Sequence, residues 1–316
     1  MDQEKTHVSY SQLRMFNKCK KKWQLKYRDG LKPPSDSVHT IGGTAFHETI
    51  QEYLERCVYG DESDMDLRND FKHRLKSVNE DVKEQEEWKN VDHDPATKKQ
   101  LIEYCKATFN ILKEFKESEH LYFDPEYTEL VGIEVPIEHD LSQEIVWVGY
   151  LDVVLKDRDT GKYIIIDIKT STSGWSKWDK DDAGKANQVV AYKNFYSDKL
   201  GIPKQDIEVK YWIAAREPDW NWTNSHFEEF SPEDDEWTIS QLQSNIEHFL
   251  NTAFYFPDGE YVKQDFDPEP DKFTCCFCPY SQQFSSGEHA VCDQDGMIFD
   301  GYPKKMKNYI DEKWCK

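Results

Sequence analysis

The stretch Tyr163-Ile164-Ile165-Ile166-Asp167-Ile168-Lys169-Thr170 sets a carboxylate and an amine two residues apart inside an apolar run. β-Branched residues packed this densely read as a strand. Side chains alternate along an extended chain, so Asp167 and Lys169 emerge on one face while Ile164, Ile166 and Ile168 fill the other. A carboxylate beside an ammonium suits metal-assisted hydrolysis of a phosphodiester: the acid can hold a divalent cation, and the amine can orient water or stabilise negative charge. A strand end entering solvent would carry the same triplet, so its neighbours decide between the two.

Upstream, Val146-Trp147-Val148-Gly149-Tyr150-Leu151-Asp152-Val153-Val154-Leu155 is a second β-rich run with one isolated acid. An acid there is costly to bury unless it is paired or bound to a metal. The short polar segment Lys156–Lys162 contains Gly161, so the two runs read as a hairpin that sets Asp152 near Asp167. Glu134, in Leu130-Val131-Gly132-Ile133-Glu134-Val135, is either a further acid near the site or a solvent-facing strand residue.

Gly42-Gly43-Thr44-Ala45-Phe46-His47-Glu48 opens a helical pattern, with Phe46, Ile50, Tyr53, Leu54 and Cys57 at helical spacing and His47 on the flank of the stripe. Gln188 and Tyr192 stand four apart in another helical stretch and share a face.

In this order the pieces resemble the RecB-like branch of the PD-(D/E)XK nuclease superfamily. That family has a G-x-x-x-H helix, a G-x-x-D strand, a D/E-x-K strand and a Q-x-x-x-Y helix. Here these are Gly43 to His47, Gly149 to Asp152, Asp167 to Lys169 and Gln188 to Tyr192; Ser9-Tyr10-Ser11-Gln12-Leu13 followed by Cys19 looks like the family's opening segment. The resemblance implies an α/β, restriction-endonuclease-like core, a central mixed β-sheet flanked by helices. It implies that His47, Asp152, Asp167 and the backbone carbonyl of Ile168 ligate Mg²⁺ or Mn²⁺. Lys169 would be the catalytic lysine, with Gln188 and Tyr192 supporting the site or touching DNA. Two carboxylates and a carbonyl also suit a hard cation on chemical grounds, and one imidazole extends tolerance toward Mn²⁺.

Eight cysteines in a chain that reads as intracellular suggest reduced thiols or a metal centre rather than a disulfide framework. Cys275-Cys276-Phe277-Cys278-Pro279-Tyr280, with Cys292 beyond it, looks like the late part of the iron–sulfur staple of some RecB/AddB-type nucleases, with Cys19 as the fourth ligand. This implies a [4Fe–4S] cluster on Cys19, Cys275, Cys278 and Cys292. One departure is plain: the family's last cysteine follows the C-x-x-C closely, whereas Cys292 lies fourteen positions after Cys278. Cys276 as a ligand, zinc on the same thiolates, or free buried thiols are the other readings. Cys57 and Cys105 fall within helical patterns and read as packing residues.

A net charge of −21 argues against a coating or histone-like DNA binder, whose affinity rests on neutralising phosphates. Local potential matters more for a nuclease. Lys18–Arg28 is basic and aromatic-interleaved, so Lys20, Lys21 and Lys22 could guide a DNA backbone while Trp23 or Tyr27 stacks on bases. Its other reading is a solvated helix face whose aromatics are core.

The length fits one elaborated nuclease domain over 1–316: N-terminal helices with Cys19 and His47 in 1–60, a helical insertion over 61–125, a catalytic core over 126–215, and a helical, Cys-containing segment over 216–316. Ile207–Ala214 reads as a further strand, and Ser231-Pro232-Glu233-Asp234-Asp235-Glu236 as a capped helix start. The expected activity is a cation-dependent deoxyribonuclease, an exonuclease on single-stranded or free DNA ends, with a helicase or recombination partner. Other readings are a structure-specific flap or branch endonuclease and a non-catalytic DNA-binding subunit. Without a signal peptide or an apolar membrane-length run, a soluble cytoplasmic location is the default.

Overall fold

The structure, a computed structural model, describes residues 5–60, 65–89, 91, 93–118, 123–219, 223, 225–255, 265–268, 275 and 278–280. The chain divides into two compact units, Met1–Tyr10 with Asp36–Glu247 and Ser11–Ser35 with His248–Lys316. In chain order the first elements are β1 (Thr6–Val8), α1 (Tyr10–Lys18), α2 (Lys20–Trp23), α3 (Val38–Tyr59), α4 (Leu67–Lys83) and α5 (Lys98–Glu117). They continue as β2 (Thr128–Asp140), β3 (Ile145–Asp157), β4 (Tyr163–Ser171), α6 (Lys177–Asp181), α7 (Ala183–Ala186), α8 (Gln188–Leu200), β5 (Ile207–Ala215), β6 (Phe227–Phe230) and α9 (Glu236–Ala253).

The first unit is built on one mixed sheet in the order β1-β3-β4-β5-β6, with β2 added to β3. The β3–β4 hairpin turns where the sequence places Asp157 to Gly161. Asp157 Oδ1 accepts from the backbone N–H groups of Asp159 and Thr160, and Gly161 takes φ +73, a conformation that Gly adopts without steric cost. β5 lies parallel to β4 and carries the strand expected from Ile207 onward.

The pairing leaves a fork. β2 runs antiparallel along one edge of β3, so β1 and β4 share the other: β1 pairs with Ile145–Trp147 and β4 with Val153–Lys156. Residues 148–152 have no strand partner on that edge among the described residues, and β3 and β4 part just beyond the Val153–Ile166 rung. Asp152 and Asp167 occupy the next position on each strand.

Helices α3, α4 and α5 cover one face. Ile41, Phe46, Ile50, Tyr53, Phe71, Ile111 and Phe115 pack there with Ile166, Ile168, Trp212 and Phe227 of the sheet. On the opposite face Phe195 and Tyr196 of α8 meet Trp147 and Tyr163, and Tyr211 donates its hydroxyl to the Ala186 carbonyl at 3.1 Å.

Two helix starts differ from the sequence expectation. α3 begins at Val38, where Ser37 and Thr40 form a reciprocal capping box; Gly42 and Gly43 lie inside the helix instead of opening it. α9 begins at Glu236 and not near Ser231, because Asp235 Oδ1 accepts from Thr238 N at 2.8 Å and takes the capping role.

In the second unit, Trp23 is 1% exposed and packs against Phe16, Phe249, Phe254 and Phe266, with its indole N–H donated to Gln12 at 3.2 Å. This corrects the expectation that Trp23 stacks on bases: its ring is the centre of an aromatic core. Gln24 is also buried, donating to Asp265 at 2.7 Å and accepting from Phe266 N at 2.8 Å. Among the described residues no helix is long and apolar enough to cross a membrane.

Candidate active site

Four of the residues singled out in the sequence meet at the fork. Asp152 Oδ2 accepts from Ile168 N at 2.8 Å and lies 3.3 Å from His47 Nδ1. Asp167 is 1% exposed, and its Oδ2 faces Lys169 Nζ at 2.6 Å. α3 delivers His47 to this point because it runs close to β4: a Cβ on Gly43 would stand 3.2 Å from Thr170 Oγ1.

Burial dominates the electrostatics. Asp152 and Asp167 are each pushed up to about 6 by desolvation, with the Lys169 ammonium pulling the other way. His47 is pushed down to about 4, first by burial and then by Lys169. Two carboxylates that resist ionisation beside a neutral imidazole are a set of donors short of positive charge.

Among the described residues no three His, Cys, Asp or Glu side chains are drawn into a closed metal cage. The chemistry of the donors at the fork nonetheless fits a hard divalent cation. The His47 imidazole lies against Asp152, Asp167 stands at the matching position of the neighbouring strand, the Ile168 backbone is within hydrogen-bonding reach of His47, and Asp167 Oδ2 is a buried oxygen facing the Lys169 ammonium.

Gln188 and Tyr192 stand over the same fork. Gln188 Nε2 donates to Tyr192 Oη at 2.7 Å, and burial, followed by the Asp167 charge, raises the tyrosine well above its ordinary value. Tyr192 lies against Gly149: a Cβ there would come within 3.0 Å of its Cε1.

Glu134 joins this group. Its Oε1 accepts from Gln51 Nε2 at 2.6 Å, and the same amide reaches the Asp152 carbonyl at 3.1 Å. Gln51 was not singled out in the sequence, although its i+4 spacing from His47 puts it on the same helix face. Arg216, which follows β5 and hydrogen-bonds Tyr104 and Thr172, had no local signal at all.

The cysteines of the expected cluster and the basic segment belong to the second unit, whereas Cys57 and Cys105 lie in the first. Cys19, Cys275 and Cys278 are buried, and the Cys278 thiol is pushed up by burial and, in smaller part, by Cys19 and Cys275. Cys276 and Cys292 lie outside the described residues. Lys20, Lys21, Lys22 and Tyr27 are half-buried, with Lys26 over the Tyr27 ring.

The chain has no match among curated proteins. The family model of the PD-(D/E)XK nuclease superfamily matches residues 7–283, a span that takes in all of the sheet but its first residue, Thr6, together with the fork and every residue gathered around it. This chain belongs to the PD-(D/E)XK nuclease superfamily.

Proposed function

We propose that this chain is a divalent-cation-dependent deoxyribonuclease of the RecB-like branch, acting as an exonuclease on single-stranded or free DNA ends. The observation that carries the reading is the meeting of His47, Asp152, Asp167 and Lys169 at the β3–β4 fork. His47, Asp152, Asp167 and the Ile168 carbonyl would hold Mg²⁺ or Mn²⁺, which when bound supplies positive charge to the phosphate oxygens. Lys169 places its ammonium beside the scissile phosphate, where it orients the attacking water and stabilises the charge that develops on phosphorus oxygens. Asp152 ties the Ile168 N–H, so the backbone at Ile168 is held in one orientation. Gln188 and Tyr192 close the α8 side of the fork and limit its access to water.

Lys20, Lys21, Lys22 and Tyr27 are proposed to guide the strand. Cys19, Cys275, Cys278 and Cys292 are proposed to hold a [4Fe–4S] cluster, with zinc as the other occupant; burial of the three described thiols supports this. Anaerobically purified protein that absorbs near ~400 nm, with the band lost in Cys278→Ala, would support the cluster. A colourless, zinc-containing protein would replace it with zinc.

The test of the activity is digestion of end-labelled linear single-stranded DNA in Mg²⁺, Mn²⁺ or EDTA by wild type and Lys169→Ala in parallel. Cation-dependent shortening by wild type alone is expected. Equal digestion by both proteins would overturn the site, and cleavage of circular single strands would replace exonuclease with endonuclease.

A further inference from the structure

We propose that Arg216 is a phosphate-binding residue that grips a non-scissile phosphate of the substrate strand. The inference deepens the proposed nuclease reading and rests on it for the identity of the strand. Arg216 directly follows β5, and its backbone N–H donates to the Ser171 carbonyl at 3.2 Å, which sets it level with the end of β4. Its side chain is nearly closed off, at 8% exposure for the residue.

The described hydrogen-bond partners of the guanidinium are hydroxyl groups, with the His39 ring beside them. Nη1 donates to Tyr104 Oη at 2.8 Å, Nη2 donates to Thr172 Oγ1 at 2.9 Å, and Nη2 lies 3.2 Å from His39 Nδ1. Among the described residues no carboxylate is within ion-pairing distance of it; Arg28 and Arg74 pair with two carboxylates each and Arg56 with one, and Arg14, Arg68 and Arg158, which like Arg216 pair with none, are not buried as it is. A guanidinium cannot shed its proton to escape burial. A buried cation without a counter-charge is costly, and an anion in contact with it would remove that cost.

The opening for that anion lies on the Nη2 side. His39 and Thr172, which flank Nη2, are both exposed, while Tyr104 on the other side is 5% exposed. The geometry of the holder is specific. The guanidinium carbon sits 4.4 Å from the Tyr104 ring centre, and Tyr104 in turn needs Gly42, where a Cβ would come within 2.2 Å of the tyrosine ring. A glycine inside α3 therefore admits the tyrosine that seats the arginine.

The position relative to the fork fits a strand. α3 carries His39 beside Arg216 and His47 at the fork, a separation of about 12 Å at the rise of an α-helix. A strand with its scissile phosphate at the fork and its backbone along α3 carries another phosphate past Nη2. Arginine suits that role because its planar donors match phosphate oxygens.

The test compares wild type, Arg216→Met and Arg216→Lys in EDTA, by anisotropy with fluorescein-labelled single-stranded oligonucleotides carrying a 5′-phosphate or a 5′-hydroxyl. Arg216→Met keeps the apolar stem and removes the charge. It is expected to melt at or above the wild-type temperature, to bind DNA about tenfold more weakly, and to flatten the slope of log K against log salt by about 0.7. An equal loss on both oligonucleotides identifies an internal diester, and a loss confined to the 5′-phosphorylated strand identifies a terminal monoester. A lower melting temperature with unchanged affinity and slope overturns the proposal in favour of a structural tie. Should Arg216→Met fail to fold, oligonucleotides with one neutral methylphosphonate linkage decide: wild type must be sensitive to one linkage, and more so than Arg216→Lys, whose point charge lacks the planar donor match; equal sensitivity in both overturns the proposal. Because binding is read without turnover, loss of Arg216-dependent binding in an active nuclease, and Arg216-dependent binding in an inactive protein, separate failure of this proposal from failure of the catalytic reading.

Discussion

The ring of Tyr192 rests on Gly149: a Cβ on the glycine would lie 3.0 Å from the tyrosine Cε1. The glycine of the β3 motif is therefore the seat for the tyrosine of the α8 motif, and the two signatures are halves of one contact. Gly149→Ala should displace Tyr192 by a few tenths of an ångström and cut cleavage by about tenfold, while overpacking costs on the order of 1 kcal/mol. The double variant Gly149→Ala/Tyr192→Leu should recover thermal stability without recovering activity. Full activity in Gly149→Ala would show that the position of the tyrosine ring does not matter.

Asp167 destabilises the cation-free protein at neutral pH. Its folded pKa of about 6 lies above the ordinary 3.8, so the folded state holds the proton more tightly than the unfolded chain does. That stabilisation is complete below about pH 4 and is lost as pH rises through about 6. In EDTA, Asp167→Asn should be more stable than wild type at pH 8, by up to about 3 kcal/mol, with the difference shrinking as pH falls toward 4. Urea denaturation across that range checks both sign and window. A variant less stable than wild type at pH 8 would rule out burial as the source of the shift.

Cation binding should show the mirror image. Below about pH 6 a bound divalent ion must displace protons from both Asp152 and Asp167. The Mn²⁺-induced rise in melting temperature should be full at pH 8 and weaken steeply below 6, with apparent affinity falling by up to ~100-fold per pH unit for two protons displaced. His47, held near 4, adds no further proton until the pH is lower still. A melting shift equal at pH 5 and pH 8 would place the cation away from these carboxylates.

The hairpin that sets Asp152 near Asp167 was legible because it rests on local patterns. An apolar run broken by Asp167 and Lys169, a Gly-containing turn and an isolated Asp152 each carry their own physical cost. β5 was readable as a strand for the same reason, though its parallel pairing with β4 was not. Less readable was anything decided by contact between distant segments. Trp23 sits in a basic, helical stretch that looks like a DNA-binding face, yet its partners Phe249, Phe254 and Phe266 lie more than two hundred residues away. Gly42 looked like a helix boundary because glycine is poor inside helices; its reason is the Tyr104 ring, which only the folded chain brings there. Arg216 stands after two alanines, and nothing beside it predicts that it will be buried without an acid.

Glu134 is the one non-glycine with positive φ among the described residues, at +48. On β2, Ile133 pairs with Val153 and Val135 with Leu151, which leaves Glu134 twisted out of the ladder opposite Asp152. Its carboxylate is held there by Gln51, whose amide also reaches the Asp152 carbonyl. A left-handed residue with a side chain costs about 1 kcal/mol or more, so the surroundings hold it in place. Alanine at 134 keeps the strain and loses the hydrogen bond, whereas glycine loses the same hydrogen bond and relieves the strain. Glu134→Gly should therefore be more stable than Glu134→Ala by about 1 kcal/mol, the reverse of the usual order in a strand, where glycine is the weaker residue. Glu134→Gln keeps the acceptor for Gln51 and should match wild type in stability. Its cleavage rate in Mg²⁺ then isolates the charge: a loss of about tenfold or more assigns the carboxylate a role at the fork, and an unchanged rate leaves it as the support of Gln51 alone.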